Sequence, residues 1–203
     1  MKKFTFPTSR VFAFNDAVFS IAITLLVLDI KVPSKNLIAQ EGFWEAMQNL
    51  IPNFIGFVVS FLVIALYWKF YLLFSRYIDV FDKKLIWHNI FLLLFVALLP
   101  FSTSLFVSSP LTDGPFTFYC INLILLSFFN LLMLKVVLRR ARLKLDKITS
   151  QWLQFRAINT LMVWIIALIL AYVLPQYARI SFILIFVFQL IGKFYFKRKA
   201  KKV

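Results

Sequence analysis

The stretch RVFAFNDAVFSIAITLLVLDI, Arg10 to Ile30, decides how the rest of the chain is read. It is an apolar run fenced by carboxylates, Asp16 at one end and Asp29 at the other, with the twelve uncharged residues Ala17 to Leu28 between them. At 1.5 Å of rise per residue that core is only about 18 Å long. A lipid-facing helix needs roughly 20 apolar residues to cross a hydrocarbon layer of about 30 Å. A helix crossing here therefore carries carboxylates to membrane depth, which is costly unless they face protein or a water-filled cavity. The physical reading is a helix at the centre of an assembly, shielded from lipid by other helices.

The two sides of that helix differ. At 100° per residue Ala17, Ile21, Thr24 and Leu28 fall on one narrow stripe, flanked by Ser20 and Leu25. Phe19, Ile23, Leu26 and Ile30 lie opposite and are bulkier. Small and hydroxyl residues suit a narrow, partly wetted path, and they also suit close packing between helices. Spacing alone leaves both readings open, with packing first because such stripes are common.

Composition sets the class. The chain has 203 residues, 62% of them hydrophobic, and a net charge of +15. A soluble domain of this size does not carry that apolar fraction. The positive charge sits between apolar runs rather than in a basic groove with stacking aromatics, so membrane orientation explains it and nucleic acid is not expected as a partner. The single cysteine, Cys120, excludes an intramolecular disulfide and a cysteine metal cluster. The first apolar run lacks a small-residue cleavage site, so it is expected to be a retained helix rather than a signal peptide.

Six spans are expected, at about 10–30, 46–71, 85–106, 116–134, 157–174 and 180–196, in one transmembrane domain covering 1–203. Residues 34–45 read as a polar loop, Pro52 as a tolerated proline near a helix start, and Pro100 as a kink. SSPLTDGP, Ser108 to Pro115, reads as a turn, and Pro175 as the stop of the fifth span. The basic run Lys135 to Lys147 is expected to continue as helix beyond the membrane, and solvation comes before specific lipid recognition as its role. Of the 23 Lys and Arg, alternation across six spans leaves only Lys31, Lys35 and Arg179 on one side and the other 20 opposite. The positive-inside rule then puts both termini in the cytoplasm.

Several chemistries are missing from the sequence. No T-V-G-Y-G filter, Gly-rich phosphate loop, regular arginine ladder or H-E-x-x-H is present. No pair of carboxylates and no Ser/His/Asp set lies at one depth, so the chain does not read as an enzyme, and no cofactor is expected.

RVFAFNDAVFSIAITLLVLDIKVP resembles the first helix of the transmembrane protein 175 family, the endolysosomal potassium channels and their bacterial relatives. That family carries R-x-x-x-F-S-D here, then an apolar run with an Ile and a Thr, an acidic residue and K-V-P. Arg10, Phe14 and Asp16 match, and Asn15 stands where the family usually has Ser. In LIWHNIFLLLFVALLPFSTSL, Trp87, Asn89, Pro100 and Phe101 match the family's third helix, while His88 replaces a usually apolar residue. In the second helix Trp68 is followed three residues later by Tyr71, where family members often have His.

The resemblance implies an all-α polytopic integral membrane protein of six transmembrane helices, the first lining a central pore. It implies a potassium-permeable cation channel in a bacterial plasma membrane, a homotetramer with lipid around it. Rings of Ile21, Leu25 and Leu28, with Thr24 between, would then form an apolar constriction in place of a carbonyl filter, with the potassium path at Ile21 and Thr24. Arg10, Phe14, Asn15, Asp16, Trp87, His88 and Asn89 form the expected interhelical network. Trp87, His88 and Asn89 begin the third span level with Asp16 and are its candidate partners. A structural clamp comes ahead of a direct role for Arg10, Asp16 and Asn89 in conduction or proton sensing, and His88 reads as an interfacial residue before a sensor or ligand. A secondary transporter is the alternative, since transporters also bury acids near their substrates; a scaffold without transport activity is the third reading.

Overall fold

The computed structural model describes residues 6–108, 113–141, 145–174, 178 and 183–200. The expected turn at Ser108 to Pro115, the stop at Pro175, and Lys2, Lys3, Arg142, Lys144, Arg179, Lys201 and Lys202 lie wholly or partly outside those residues. The regular structure in those residues is helical, apart from one antiparallel bridge between Phe6 and Phe81.

Helix α1, Thr8–Leu25, tightens into a 3-10 turn at Leu26–Asp29. Two short helices follow, α2 at Lys35–Glu41 and α3 at Phe43–Gln48, where the sequence reading has a polar loop. Ser34 caps α2 by accepting from the Leu37 N–H at 3.2 Å. Gly42 joins the pair with φ +86°, a conformation that costs other residues energy. Helix α4, Ile51–Ser75, has Pro52 in its first turn, where no N–H is missed.

The expected third span is two helices, α5 at Lys83–Ala97 and α6 at Leu99–Ser108. The interruption falls at Leu98, two residues before Pro100. Proline offers no N–H to the carbonyl four residues back and its ring crowds that carbonyl, so the ladder breaks there. Helix α7, Asp113–Arg140, continues past 134 into the basic run, where a helical extension is expected, and α8, Lys147–Val173, starts ten residues before the expected 157. The start of α8 has a simple cause: the Asp146 carboxylate accepts from the Thr149 N–H at 2.8 Å. Helix α9 is Ile183–Ala200.

Among the described residues five stretches are long and apolar enough to cross a membrane: Thr8–Asp29, Phe43–Ser75, Lys83–Ser108, Gly114–Arg140 and Lys147–Val173. Ile183–Phe196 is a shorter apolar helix. Within the chain α7 is the central helix, packed against α5, α6 and α8, and α9 lies on α8. Buried hydroxyls and amides join these helices. Thr103 and Ser60 meet at 2.8 Å, Ser60 and Tyr119 at 3.2 Å, and the Asn122 amide donates to Ser102 at 3.1 Å. Trp164 donates its indole N–H to Tyr67 at 3.1 Å, and Tyr67 meets Ser127. With little hydrophobic drive between helices in lipid, such bonds and close packing are what hold a bundle together.

Helix α1 is not in the middle of this bundle. It lies along α4, α5 and α6, and it is the least buried of the five candidate spans, at 22%. Any shielding of its other side has to come from outside the described residues.

Candidate functional site on the first helix

One face of α1 is fixed. Asn15, Phe19, Ala22 and, just past its end, Leu26 are buried, a 4-3-4 spacing that keeps them on one side of a helix. Phe12 meets Tyr71 and Phe81 edge-on, at ring separations of 6.1 and 5.7 Å, and Phe19 lies 6.3 Å from Tyr71. At the entry to the helix the Phe6 N–H donates to the Phe81 carbonyl at 2.9 Å, and the Thr8 hydroxyl donates to the Asp79 carbonyl at 3.1 Å. These contacts set both the position of α1 and its rotation about its own axis.

The amide pair at the centre of that face is reciprocal. Asn15 Nδ2 donates to Asn89 Oδ1 and Asn89 Nδ2 to Asn15 Oδ1, each at 2.8 Å, with both residues fully buried. Each amide thus spends one donor and one acceptor on the other, away from water, where an unmade bond is expensive.

The opposite face is bare. Ala17, Ile21, Thr24 and Leu28 are all exposed, as are Phe14, Ser20 and Leu25 beside them. Ile21 is 57% and Leu28 72% exposed. The Thr24 hydroxyl turns its hydrogen back onto its own helix, with Oγ1 3.0 Å from the Ser20 carbonyl and 2.9 Å from that of Ile21. Its oxygen lone pairs are left for whatever lies outside the helix, as acceptors and not as donors.

The network around Asp16 differs from the expected one. Asp16 accepts from the indole N–H of Trp68 on α4 at 3.0 Å, not from Trp87, His88 or Asn89. The reason is the rotation of α1: Asn15 takes the buried position facing α5 and claims Asn89, which swings its neighbour Asp16 toward α4. Trp87 is exposed and lies against Phe91, with 6.0 Å between rings. His88 is half-buried, Phe14 is exposed, and the exposed Arg10 has no ion pair among the described residues. Sequence reasoning missed Trp68, Tyr71 and Phe81 as the seat of α1. Trp68 had a usable signal, an indole near the charged end of its span at the level of Asp16.

No group of His, Cys, Asp and Glu among the described residues is arranged to hold a metal ion. What the site offers is a mostly apolar face with the hydroxyls of Ser20 and Thr24, on a helix anchored along its other side.

Residues 10–100 match the family model described as endosomal/lysosomal potassium channel TMEM175. A potassium channel of Streptomyces collinus is 41% identical over 98 residues, 48% of this chain and 47% of the relative. A potassium channel of Chamaesiphon minutus is 37% identical over 98 residues, 48% of each chain. The chain thus spans about half the length of these curated relatives. Its fold is similar to the crystal structure of a lysosomal potassium-selective channel TMEM175 homolog from Chamaesiphon minutus, with a TM-score of 0.77, 24% identity, and coverage of 91% of this chain and 97% of the other. The shared stretch runs from Arg10 to Pro100, through the anchored helix, its seat on α4 and α5, and the break at Leu98, and over that stretch the chain is similar to the TMEM175 family.

Proposed function

We propose that the protein is a potassium-permeable cation channel, a homotetramer in which four copies of α1 surround the ion path. The observation that carries this is the division of α1 into an anchored face and a bare one. The fold spends an amide pair, three ring contacts and a bridging strand segment to hold Asn15, Phe19, Ala22 and Leu26 inward. That leaves Ala17, Ile21, Thr24 and Leu28 to face whatever the chain itself does not supply. A lipid-facing helix needs no such fixed rotation, and it would not place Asp16 and Asp29 at the ends of a twelve-residue apolar run.

Four such faces around one axis form rings of Ile21, Leu25 and Leu28 with Thr24 between. Apolar rings gate by dewetting, and a ring of hydroxyl oxygens replaces part of an ion's hydration shell. The outward lone pairs of Thr24 have the polarity a cation needs. In this reading Ile183–Phe196 is the sixth crossing, both termini are cytoplasmic, and the membrane is the plasma membrane of a bacterium. Potassium is the permeant species, not a resident cofactor, and lipid surrounds the outer helices.

Reconstitution of the purified protein in planar bilayers tests this. Discrete unitary currents with a potassium-dependent reversal potential are the expected result. Coupled flux at fixed stoichiometry would mean a secondary transporter, and silence in protein of confirmed fold and insertion would mean a scaffold.

A further inference from the structure

Arg156 is out of keeping with its surroundings. It is the tenth residue of α8, well inside that helix, and only 8% exposed. Its guanidinium carbon lies 5.1 Å from the centre of the Phe70 ring and 5.6 Å from that of Trp152. Ring faces attract a cation but accept no hydrogen bond in its plane, and Nε of Arg156 is buried without a partner. Among the described residues it makes no ion pair. A buried charge without a counter-charge is among the costliest features a fold can hold.

What lies beside it is positive as well. A groove of about 210 Å³ between α4, α8 and α9 is lined by Arg156, Trp152, Gln189, Lys69 and Lys193, and no carboxylate lines it. Lys69 and Lys193 are exposed and without ion pairs among the described residues. Gly192 lets α9 sit directly on α8: a methyl group there would lie 2.5 Å from the ring of Phe155, which lines the groove. Three helices thus bring three cations and an amide to one opening.

We infer that this groove holds the headgroup phosphate of an acidic phospholipid, with Arg156 as the deep donor, Lys69 and Lys193 at the mouth and Gln189 beside them. Arginine's planar fork suits a phosphate bidentately. A lipid fits better than a free anion because the apolar side chains of Leu66 and Leu190 complete the lining, giving acyl chains a surface to lie on. The positive-inside reading places all three cations on the cytoplasmic side, where anionic headgroups attract basic residues. The inference rests on α4, α8 and α9 spanning a membrane and not on conduction, so a protein that carries no current still tests it. The groove lies in part on α8 and α9, outside residues 10–100.

The test uses the full chain purified in neutral detergent. Retained lipid is counted by native mass spectrometry, and melting is followed with added phosphatidylglycerol, phosphatidylcholine or sodium phosphate. Phosphatidylglycerol should stay bound and raise the melting temperature, and the other two should not. Lys69→Gln with Lys193→Gln, both at exposed positions, should cut retention about tenfold. A second basic groove, about 390 Å³ and including Lys135 and Arg139, has no buried cation and serves as the control. Lys135→Gln with Arg139→Gln should leave retention unchanged. Equal retention in the first double variant, equal loss in the second, or equal stabilisation by sodium phosphate would each overturn the assignment.

Discussion

Asn15 and Asn89 bond to each other twice, and each removes the other's need for water. Asn15→Ala should cost about 1–3 kcal/mol, because it strands a buried amide on α5. Asn15→Leu with Asn89→Leu removes both partners together and should cost clearly less than the sum of the two single changes. A double-mutant cycle on thermal unfolding in detergent checks this, and additive costs would mean that the pair is not coupled. Asp82 does different work at the surface. It caps α5 by accepting from the Leu85 N–H at 3.0 Å and pairs with Arg140 at the end of α7 at 2.6 Å. The Arg140 hydrogen bond holds the Asp82 carboxyl below the usual carboxylate range. A carboxyl lowered on folding adds stability above its unfolded value, about 3.9, and loses it as pH falls through the folded value. Melting of the wild type should therefore fall off below about pH 4 more steeply than that of Asp82→Asn, which keeps a capping side chain but no charge. Equal acid limbs would show the pair to be inert. The aspartates that cap helices were present in the sequence but were not used: Asp146 marks the start of α8, and reading that span from Ala157 set Arg156 outside the membrane.

At the scale of the element, five of the six expected spans were legible, and the start of the fifth was not. Long apolar runs show themselves by length, and Pro100 by its missing N–H. The apolar-run criterion stops at the first cluster of charges, whereas a helix stops where its caps are, so α8 exceeds the expected limit at its start. The rotation of α1 was legible in part. The stripe of Ala17, Ile21, Thr24 and Leu28 follows from periodicity, but which neighbour Asp16 faces depends on tertiary packing that periodicity does not carry. Close approach between elements is also invisible in sequence. Gly56 on α4 leaves room for Val107 on α6, since a methyl group there would lie 2.2 Å from Val107 Cγ2. Gly56→Ala should thus destabilise the protein, because overpacking costs about 1–3 kcal/mol against a helix-propensity gain of about 1 kcal/mol. Rescue by Val107→Ala, read as recovered melting temperature, would locate the clash, and a stabilised Gly56→Ala would contradict the packing.

For the whole molecule, the chain's own fold puts α7 in the centre and leaves α1 at the edge with an apolar face uncovered. The sequence placed that helix at the centre of an assembly, and the two statements agree only if the assembly is larger than one chain. In the proposed homotetramer, four-fold symmetry would turn one side chain into a ring, so a substitution on the bare face would act four times at one depth. Ile21 is exposed on that face, and Ile23 is half-buried toward the body of the subunit. Ile21→Asn would exchange an apolar ring for amides and lower the barrier to wetting. Ile23→Asn would set an unpaired amide among packed side chains and cost stability. The most direct measurement is therefore the reversal potential and unitary conductance of Ile21→Asn and Ile23→Asn channels in mixed potassium and sodium, beside their yield as intact oligomers. The account predicts higher conductance and weaker discrimination for Ile21→Asn at normal yield, and poor yield with wild-type selectivity for Ile23→Asn. Unchanged reversal potentials and conductance in an intact Ile21→Asn oligomer would show that the ion path does not run along this helix.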